Sequence, residues 1–242
     1  KYFQDVKNIL NSKNSIKIKI LQPKAGEKFK HILLAEKNAR ENIRIKKASL
    51  HNHQTALQKL QQLLNLKKKP ARIEVYDNSH TFGKESVGVM IVVDGEGLSP
   101  KNYRKYNIKY NLSQEKLSSV DDYYMMKEVL SRRLKITERK EVVIPDVIII
   151  DGGRGQFNAV KEILKDKKFN NVALISVSKG IKRNLGREII HLKDKNINLR
   201  PNDPLLYFIQ RIRDEAHRFA ITTHRTRRGK ATLNSVFNEL SG

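Results

Sequence analysis

The sequence predicts an α/β fold built on one sheet of mixed sense, and three observations carry that reading. Between Arg72 and Lys109, three runs of β character follow one another with only short links, the pattern of an antiparallel meander. From Val120 onward, runs with helical spacing alternate with strands, which calls for crossover connections. The strand Asp146–Asp151 contains Val147-Ile148-Ile149-Ile150 without a polar interruption, as a strand covered on both faces requires.

Ser15 to Leu21 alternates Ile16, Ile18 and Ile20 with Lys17 and Lys19, a half-exposed strand that Pro23 and Gly26 end. From about Lys28 to Leu66, apolar residues including Ile32, Leu33, Ile43, Leu50, Leu57 and Leu60 recur at helical spacing with no interior Pro, so one long or broken basic helix is expected. Lys67-Lys68-Lys69-Pro70 is a charged linker whose proline forbids helical continuation. It divides a basic strand-and-helix arm, residues 1–70, from the α/β domain, residues 71–242. The meander strands are Arg72–Asp77, Val87–Val93 and Tyr103–Lys109, separated by Gly83 and then by Gly95, Gly97 and Pro100. Val120–Leu134 follows as a helix with Met126, Val129, Leu130 and Leu134 on one stripe and Ser118 and Ser119 available as caps. After Pro145 come the buried strand, a helix over Gln156–Lys165, a strand over Val172–Val177 and a polar hairpin through Gly186–Leu199. Asn202-Asp203-Pro204 announces the last helix, with an acid at the cap and proline at the first helical position, running to about Thr226.

The chain carries 49 Lys and Arg against 25 Asp and Glu, a formal net charge of +24 that favours phosphate-rich partners. The excess is greatest in residues 1–70, which hold 17 basic and 4 acidic side chains. A lysine-rich composition common to every protein of the source would also make the chain basic; the functional alternative is salt-sensitive binding to nucleic acid. Its 242 residues, 38% hydrophobic, suffice for one large domain or a domain with an appendage. No apolar stretch approaches the roughly 20 residues of a bilayer span, so no membrane partner is expected. With no cysteine, a metal must sit on oxygen or imidazole, and a cytoplasmic setting fits. The first residues lack an initiator Met and a signal-peptide core, as in a piece of a longer protein.

Asp151 stands where the buried strand ends, and an uncompensated carboxylate there is costly unless a cation or a metal pairs with it. Open sheets also place their sites beyond the carboxyl ends of parallel strands. Asp77 closes the first strand on the face of Ile73 and Val75. It either opens a turn with Asn78 and Ser79 or, if its strand neighbours that of Asp151, converges with Asp151 around a cation. Asp122 shares the stripe of Met126 and Leu130, whereas Asp121 is turned away; a favourable position in the helix dipole is the structural alternative. On the last helix, His217 and Arg213 border the stripe of Leu205, Ile209, Ile212 and Ala216, while Arg211, Asp214 and Arg218 face away. Lys179, at a strand end, and Arg225, Arg227 and Arg228, in a basic tail, suit phosphate contacts, although cations at a helix C-terminus are favoured by the dipole in any case. Gly152-Gly153-Arg154-Gly155 joins a strand to a helix as a phosphate cradle would. It lacks the Gly-Lys-Ser/Thr ending and the GxGxxG spacing, so no nucleotide cofactor is expected.

Four segments in this order resemble the UvrC family of bacterial nucleotide excision repair nucleases: Tyr76-Asp77-Asn78-Ser79-His80-Thr81, Asp121-Asp122-Tyr123, Asp151-Gly152-Gly153-Arg154-Gly155-Gln156, and Arg211-Ile212-Arg213-Asp214-Glu215-Ala216-His217-Arg218-Phe219-Ala220. The likeness is close over about residues 71–242 and weaker in the arm, where Ala35-Glu36-Lys37-Asn38-Ala39 carries it. It implies an RNase H-like endonuclease domain, a meander followed by βαβα units, that makes the 5′ incision beside a lesion in double-stranded damaged DNA. Carried over by position, it implies Asp77, Asp151 and His217 as the catalytic triad and Asp122 as a further catalytic acid. UvrB is the implied partner, with UvrA acting upstream. On that footing Asp77, Asp151 and His217 are the expected ligands of Mg²⁺ or Mn²⁺, with His217 either a ligand or the group that deprotonates water. An imidazole in place of a carboxylate makes the site less negative and favours one tightly held ion. Lys179, Arg213 and Arg218 would steady backbone phosphates, together with Arg225, Arg227 and Arg228. Tyr76 and Asn78 depart from the residues usual in the family without touching a proposed ligand. The family's GIY-YIG nuclease and helix-hairpin-helix modules have no counterpart in this sequence. Two other readings stand beside this one: a non-catalytic nucleic-acid-binding scaffold, and a junction-resolving or RNA-cutting nuclease on the same fold.

Overall fold

The computed structural model describes residues 5, 8–9, 23–80, 86–108, 119–139, 143–180 and 188–240. The expected strand over 15–21 and the turn at Gly83 lie outside the described residues. The elements are helix α1 (Gly26–Leu63), strands β1 (Arg72–His80), β2 (Ser86–Asp94), β3 (Gly97–Leu98) and β4 (Arg104–Ile108), helix α2 (Ser119–Arg139), strand β5 (Val147–Asp151), helix α3 (Arg154–Ile163), strands β6 (Ala173–Lys179), β7 (Glu188–His191) and β8 (Asn196–Asn198), and helix α4 (Pro204–Leu240). The order is the expected one, with the two-residue β3 added beside the meander.

One sheet of eight strands runs β3-β2-β1-β5-β6-β7-β8, with β4 also paired to β2. β1, β2 and β4 form the antiparallel meander. β1, β5 and β6 are mutually parallel, and β7 and β8 return as an antiparallel hairpin. On one face α2 and α3 pack over Tyr76, Met90, Ile148 and Ile150. On the other, α4 and the last turns of α1 cover Val75, Ile91, Ile149 and Val177. With helices on both faces β5 has no wet side, which is why Val147 through Ile150 are all apolar and all buried.

The chain forms two compact units, residues 1–49 and 50–242. Within the first, the helical residues from Gly26 carry exposed pairs, Lys30–Glu27, Arg40–Glu36 and Arg44–Glu41, of the i,i+3 and i,i+4 kind that contribute about 0.5 kcal/mol or less each. The second unit starts well before the boundary read at Pro70. Ala56, Leu57 and Leu60 are buried in the sheet's core, and His53 Nε2 lies 2.8 Å from the Asp94 carbonyl oxygen. The charged linker marks the end of the helix; the packed stripe marks the unit. At the other terminus α4 begins as expected, with the Leu205 amide donating to Asp203 Oδ1 at 2.9 Å. It then continues to Leu240 rather than stopping near Thr226. Residues 227–240 contain no proline, and a single helical glycine, Gly229, costs only about 1 kcal/mol.

A buried charged cluster that periodicity does not signal lies on the α2 face. Glu74 is fully buried and accepts from Arg72 at 2.9 Å, from the Tyr76 hydroxyl at 2.7 Å and from Arg133 of α2 at 2.7 Å. Burial and the neighbouring Glu74 hold the Tyr76 hydroxyl well above the usual phenol range. Replacing Arg133 by Met strips a buried carboxylate of its principal cation and should destabilise the fold by about 3–5 kcal/mol in urea unfolding, with the double change Glu74→Gln/Arg133→Met milder than the single one.

Candidate active site

The parallel register decides the geometry of the site. Tyr76 of β1 is paired with Ile150 of β5, so Asp77 and Asp151, each one residue farther on, leave adjacent strands on the same face. Alternation puts both on the face of Val75 and Ile149, the face covered by α4. The adjacency on which the convergence of Asp77 and Asp151 depends is therefore met. The same row extends outward. Asp77 is in register with Val89 and Val89 with Lys105, while Asp151 is in register with Val177.

Asp77 is nearly buried, and its Oδ2 accepts no hydrogen bond. Burial first, and the charge of Asp151 second, push the Asp77 carboxyl up to about 6 from an ordinary 3.8, against the opposing pull of His217. His217 Nδ1 is 3.6 Å from that Oδ2, too far for a good hydrogen bond. The imidazole is 64% exposed, so it stands at the solvent rim and not at a buried margin.

Arg213, one helical turn before His217, occupies the buried position instead. Its Nε and Nη2 both donate to Asp151 Oδ1, at 3.0 and 2.7 Å, and its side chain is 8% exposed. It lies between Ile209 and Ala216 on the stripe that α4 presses onto the sheet. A guanidinium committed to a carboxylate there is not on the surface that DNA would meet, which corrects its assignment as a phosphate contact. Arg218 is exposed, and its Nε and Nη2 donate to Glu215 at 2.7 and 2.8 Å. Lys179 is exposed at the end of β6, two residues beyond Val177 and on its face.

Asp122 belongs to α2, whose buried stripe packs on the opposite face of the sheet from Asp77 and Asp151. Its side chain, like those of Arg225, Arg227 and Arg228 on α4, lies outside the described residues. Among the described residues no three His, Asp or Glu side chains converge closely enough to hold a metal ion, so Asp77, Asp151 and His217 do not form a closed cage. The donors present still suit a hard divalent cation. Two electrostatically coupled carboxylates leave neighbouring strands on one face, one with a buried oxygen that accepts no hydrogen bond, and a cation between them would relieve the repulsion.

Glu188, Gln210 and Lys105 had no marker in the sequence. Glu188 of β7 stands 3.7 Å from Arg213 Nη1 and receives both its hydrogen bonds from Gln210 of α4, at 2.9 and 3.1 Å. Lys105 lies over the Phe219 ring, 4.9 Å from its centroid, in the same row of the sheet as Asp77. The alternation of Lys105 with buried Tyr106 and Ile108 shows its face; only register shows what lies along that face. Part of the glycine-rich turn after Asp151 is closely packed. A Cβ on Gly155 would strike the Tyr123 ring, one on Gly152 would overlap Gln156, and Arg154 donates to the carbonyls of Leu192 and Lys193.

Because the folded protein holds the Asp77 proton more tightly than the unfolded chain, the charged carboxylate costs stability above about pH 6, and that cost fades as pH falls to 4. Asp77→Asn should therefore stabilise the metal-free protein at pH 8 by up to about 3 kcal/mol in urea unfolding, with the gain gone near pH 4.

The UvrC RNase H endonuclease domain matches residues 61–221. UvrABC system protein C of Zymomonas mobilis is 42% identical over 251 aligned residues, taking in 100% of this chain and 37% of that protein. The protein of the same name from Bradyrhizobium diazoefficiens is 43% identical over 247 residues, covering 97% of this chain and 35% of its own. The chain thus spans little more than a third of the length of these relatives. Among solved structures, the catalytic domain of human Endonuclease V overlaps 58% of this chain at a TM-score of 0.36 and 13% identity, too slight a likeness to bear on the site.

Proposed function

Since the chain belongs to the UvrC family, we propose that it is the part of a bacterial nucleotide excision repair protein that hydrolyses a phosphodiester of double-stranded damaged DNA on the 5′ side of the lesion. The observation that carries the reading is the pair Asp77 and Asp151, left side by side at the carboxyl edge of the sheet with one buried oxygen unsatisfied.

The two aspartates would hold Mg²⁺ or Mn²⁺, and such an ion supplies Lewis-acid activation of the phosphodiester and of water at neutral pH. Asp77, protonated up to about pH 6, becomes an anionic ligand above it. His217, exposed beside Asp77, is placed to orient an attacking water and take its proton. Attack with departure of the 3′-oxygen leaves a 5′-phosphate. Lys179 and Lys105, exposed on the same face to either side of the acids, suit the backbone phosphates. Arg225, Arg227 and Arg228 would extend this contact along α4, and Asp122 would serve as a further acid of the incision. Contacts to phosphate alone fit an enzyme whose cut is set by a lesion and by a partner, UvrB, loaded with the help of UvrA. The proposed setting is the cytoplasm; among the described residues no helix is long and apolar enough to cross a membrane.

In a reconstituted incision assay with the intact protein, Asp77→Ala and Asp151→Ala should each reduce 5′ incision on the order of a thousandfold or more while DNA affinity stays within about twofold. Chelation of divalent ions should stop cutting by the unaltered protein, and Mn²⁺ should restore it. A scaffold that only holds DNA would show no difference between variants and no response to metal.

A further inference from the structure

Arg213 does more than fill a gap in the core. Two of its nitrogens donate to the same oxygen of Asp151, so that carboxylate cannot turn without breaking both bonds, and its Oδ2 is left as the oxygen not engaged by Arg213. The third nitrogen faces Glu188 at 3.7 Å, and Glu188 is fixed in turn by Gln210, three residues before Arg213 on the same helix. Glu188 shares a face with Ile190 and Val177, the face of the two aspartates, and is 13% exposed. A row of alternating charge therefore runs across the sheet under α4, from Asp77 and Asp151 through Arg213 to Glu188. The guanidinium neutralises part of the charge that a divalent ion would seek, and Glu188 neutralises part of the guanidinium.

We infer that Arg213 is a positioning residue for the incision reaction: it presets the orientation of Asp151 while competing with a divalent ion for that carboxylate, and Glu188 sets the strength of that competition. The inference rests on Asp77 and Asp151 being the ion's ligands. It makes the two neutralising substitutions act in opposite directions. Arg213→Gln removes the competing charge, so the ion binds more tightly, but Asp151 is no longer held and cutting slows. Glu188→Gln leaves the guanidinium uncompensated against Asp151, so the ion binds more weakly. Arg213→Lys keeps the charge without the two-pronged grip, so affinity is retained and the rate is not.

The test is calorimetric titration of the intact protein with Mn²⁺ alone, with far-UV circular dichroism to establish that each variant is folded. The expected result is affinity raised on the order of threefold or more in Arg213→Gln, lowered on the order of threefold or more in Glu188→Gln, and within about twofold of the unaltered protein in Arg213→Lys. A role confined to packing moves none of these, or moves both neutral variants the same way, and either outcome overturns the inference. Should Arg213→Gln fail to fold, Glu188→Gln and Arg213→Lys decide it: unchanged affinity in the first or a large change in the second overturns it. Asp151→Asn separates the two levels of the argument. If it leaves Mn²⁺ binding intact, the ion is not held at Asp151 and both readings fall; if it abolishes binding while Glu188→Gln and Arg213→Gln change nothing, only the role of Arg213 falls.

Discussion

Parallel pairing of β1 with β5 forces two carboxylates together at one edge of the sheet, and the surroundings of that edge answer the repulsion only in part. Asp151 receives a guanidinium; Asp77 receives an imidazole at 3.6 Å and keeps a buried oxygen with no hydrogen bond. A fold selected for stability alone would have placed a second arginine there or an apolar side chain. A carboxylate oxygen without a hydrogen bond beside a second carboxylate suits the hard cation proposed for this edge.

The same strand shows the alternative treatment of an acid. Glu74 lies three residues before Asp77 and, by alternation, on the opposite face. There Arg72, Tyr76 and Arg133 satisfy it completely. Two carboxylates of one strand, each against a helix, thus have opposite fates: one is closed into a structural network that ties α2 to the sheet, the other is nearly buried beneath α4 with one oxygen unsatisfied. Burial alone does not distinguish them, since Glu74 is the more buried of the two. The distinction lies in the donors within reach: Glu74 is met by Arg72 and Tyr76 of its own strand and by Arg133 of α2, whereas Asp77 Oδ2 is met by none.

Much of the remaining structure serves to fix α4 and the hairpin β7–β8 against this edge. Asp203 caps the helix and meets Lys59 of α1 at 3.0 Å. Arg154 grips the carbonyls that follow β7, and His191 is held between Ser178 and Asn196 at 2.8 Å on either side, which locks the hairpin to β6. Glu188 is carried on that hairpin. Elsewhere, the missing side chains of Gly155 and Gly152 let Tyr123 of α2 and Gln156 of α3 close in.

Local chemistry made a large share of this legible without coordinates. Period-two runs gave the meander, the unbroken Val147–Ile150 run gave a strand buried on both faces, and Asn202-Asp203-Pro204 gave the start of α4, because backbone geometry and solvent partition act on neighbouring residues. The pairing of Asp77 with Asp151 was readable as a condition, since each stood on a face that should be apolar, although β1 runs on to His80 and only Asp151 closes its strand. What sequence could not supply was register and the reach of side chains between elements remote in the chain. That Arg213 turns inward to Asp151 while His217 stays at the rim, that Glu188 backs the arginine, and that the last turns of α1 join the core all depend on where α1, α4 and β7 lie against the sheet. Composition and periodicity state which groups want partners; only the packing of distant elements determines which partner each one meets.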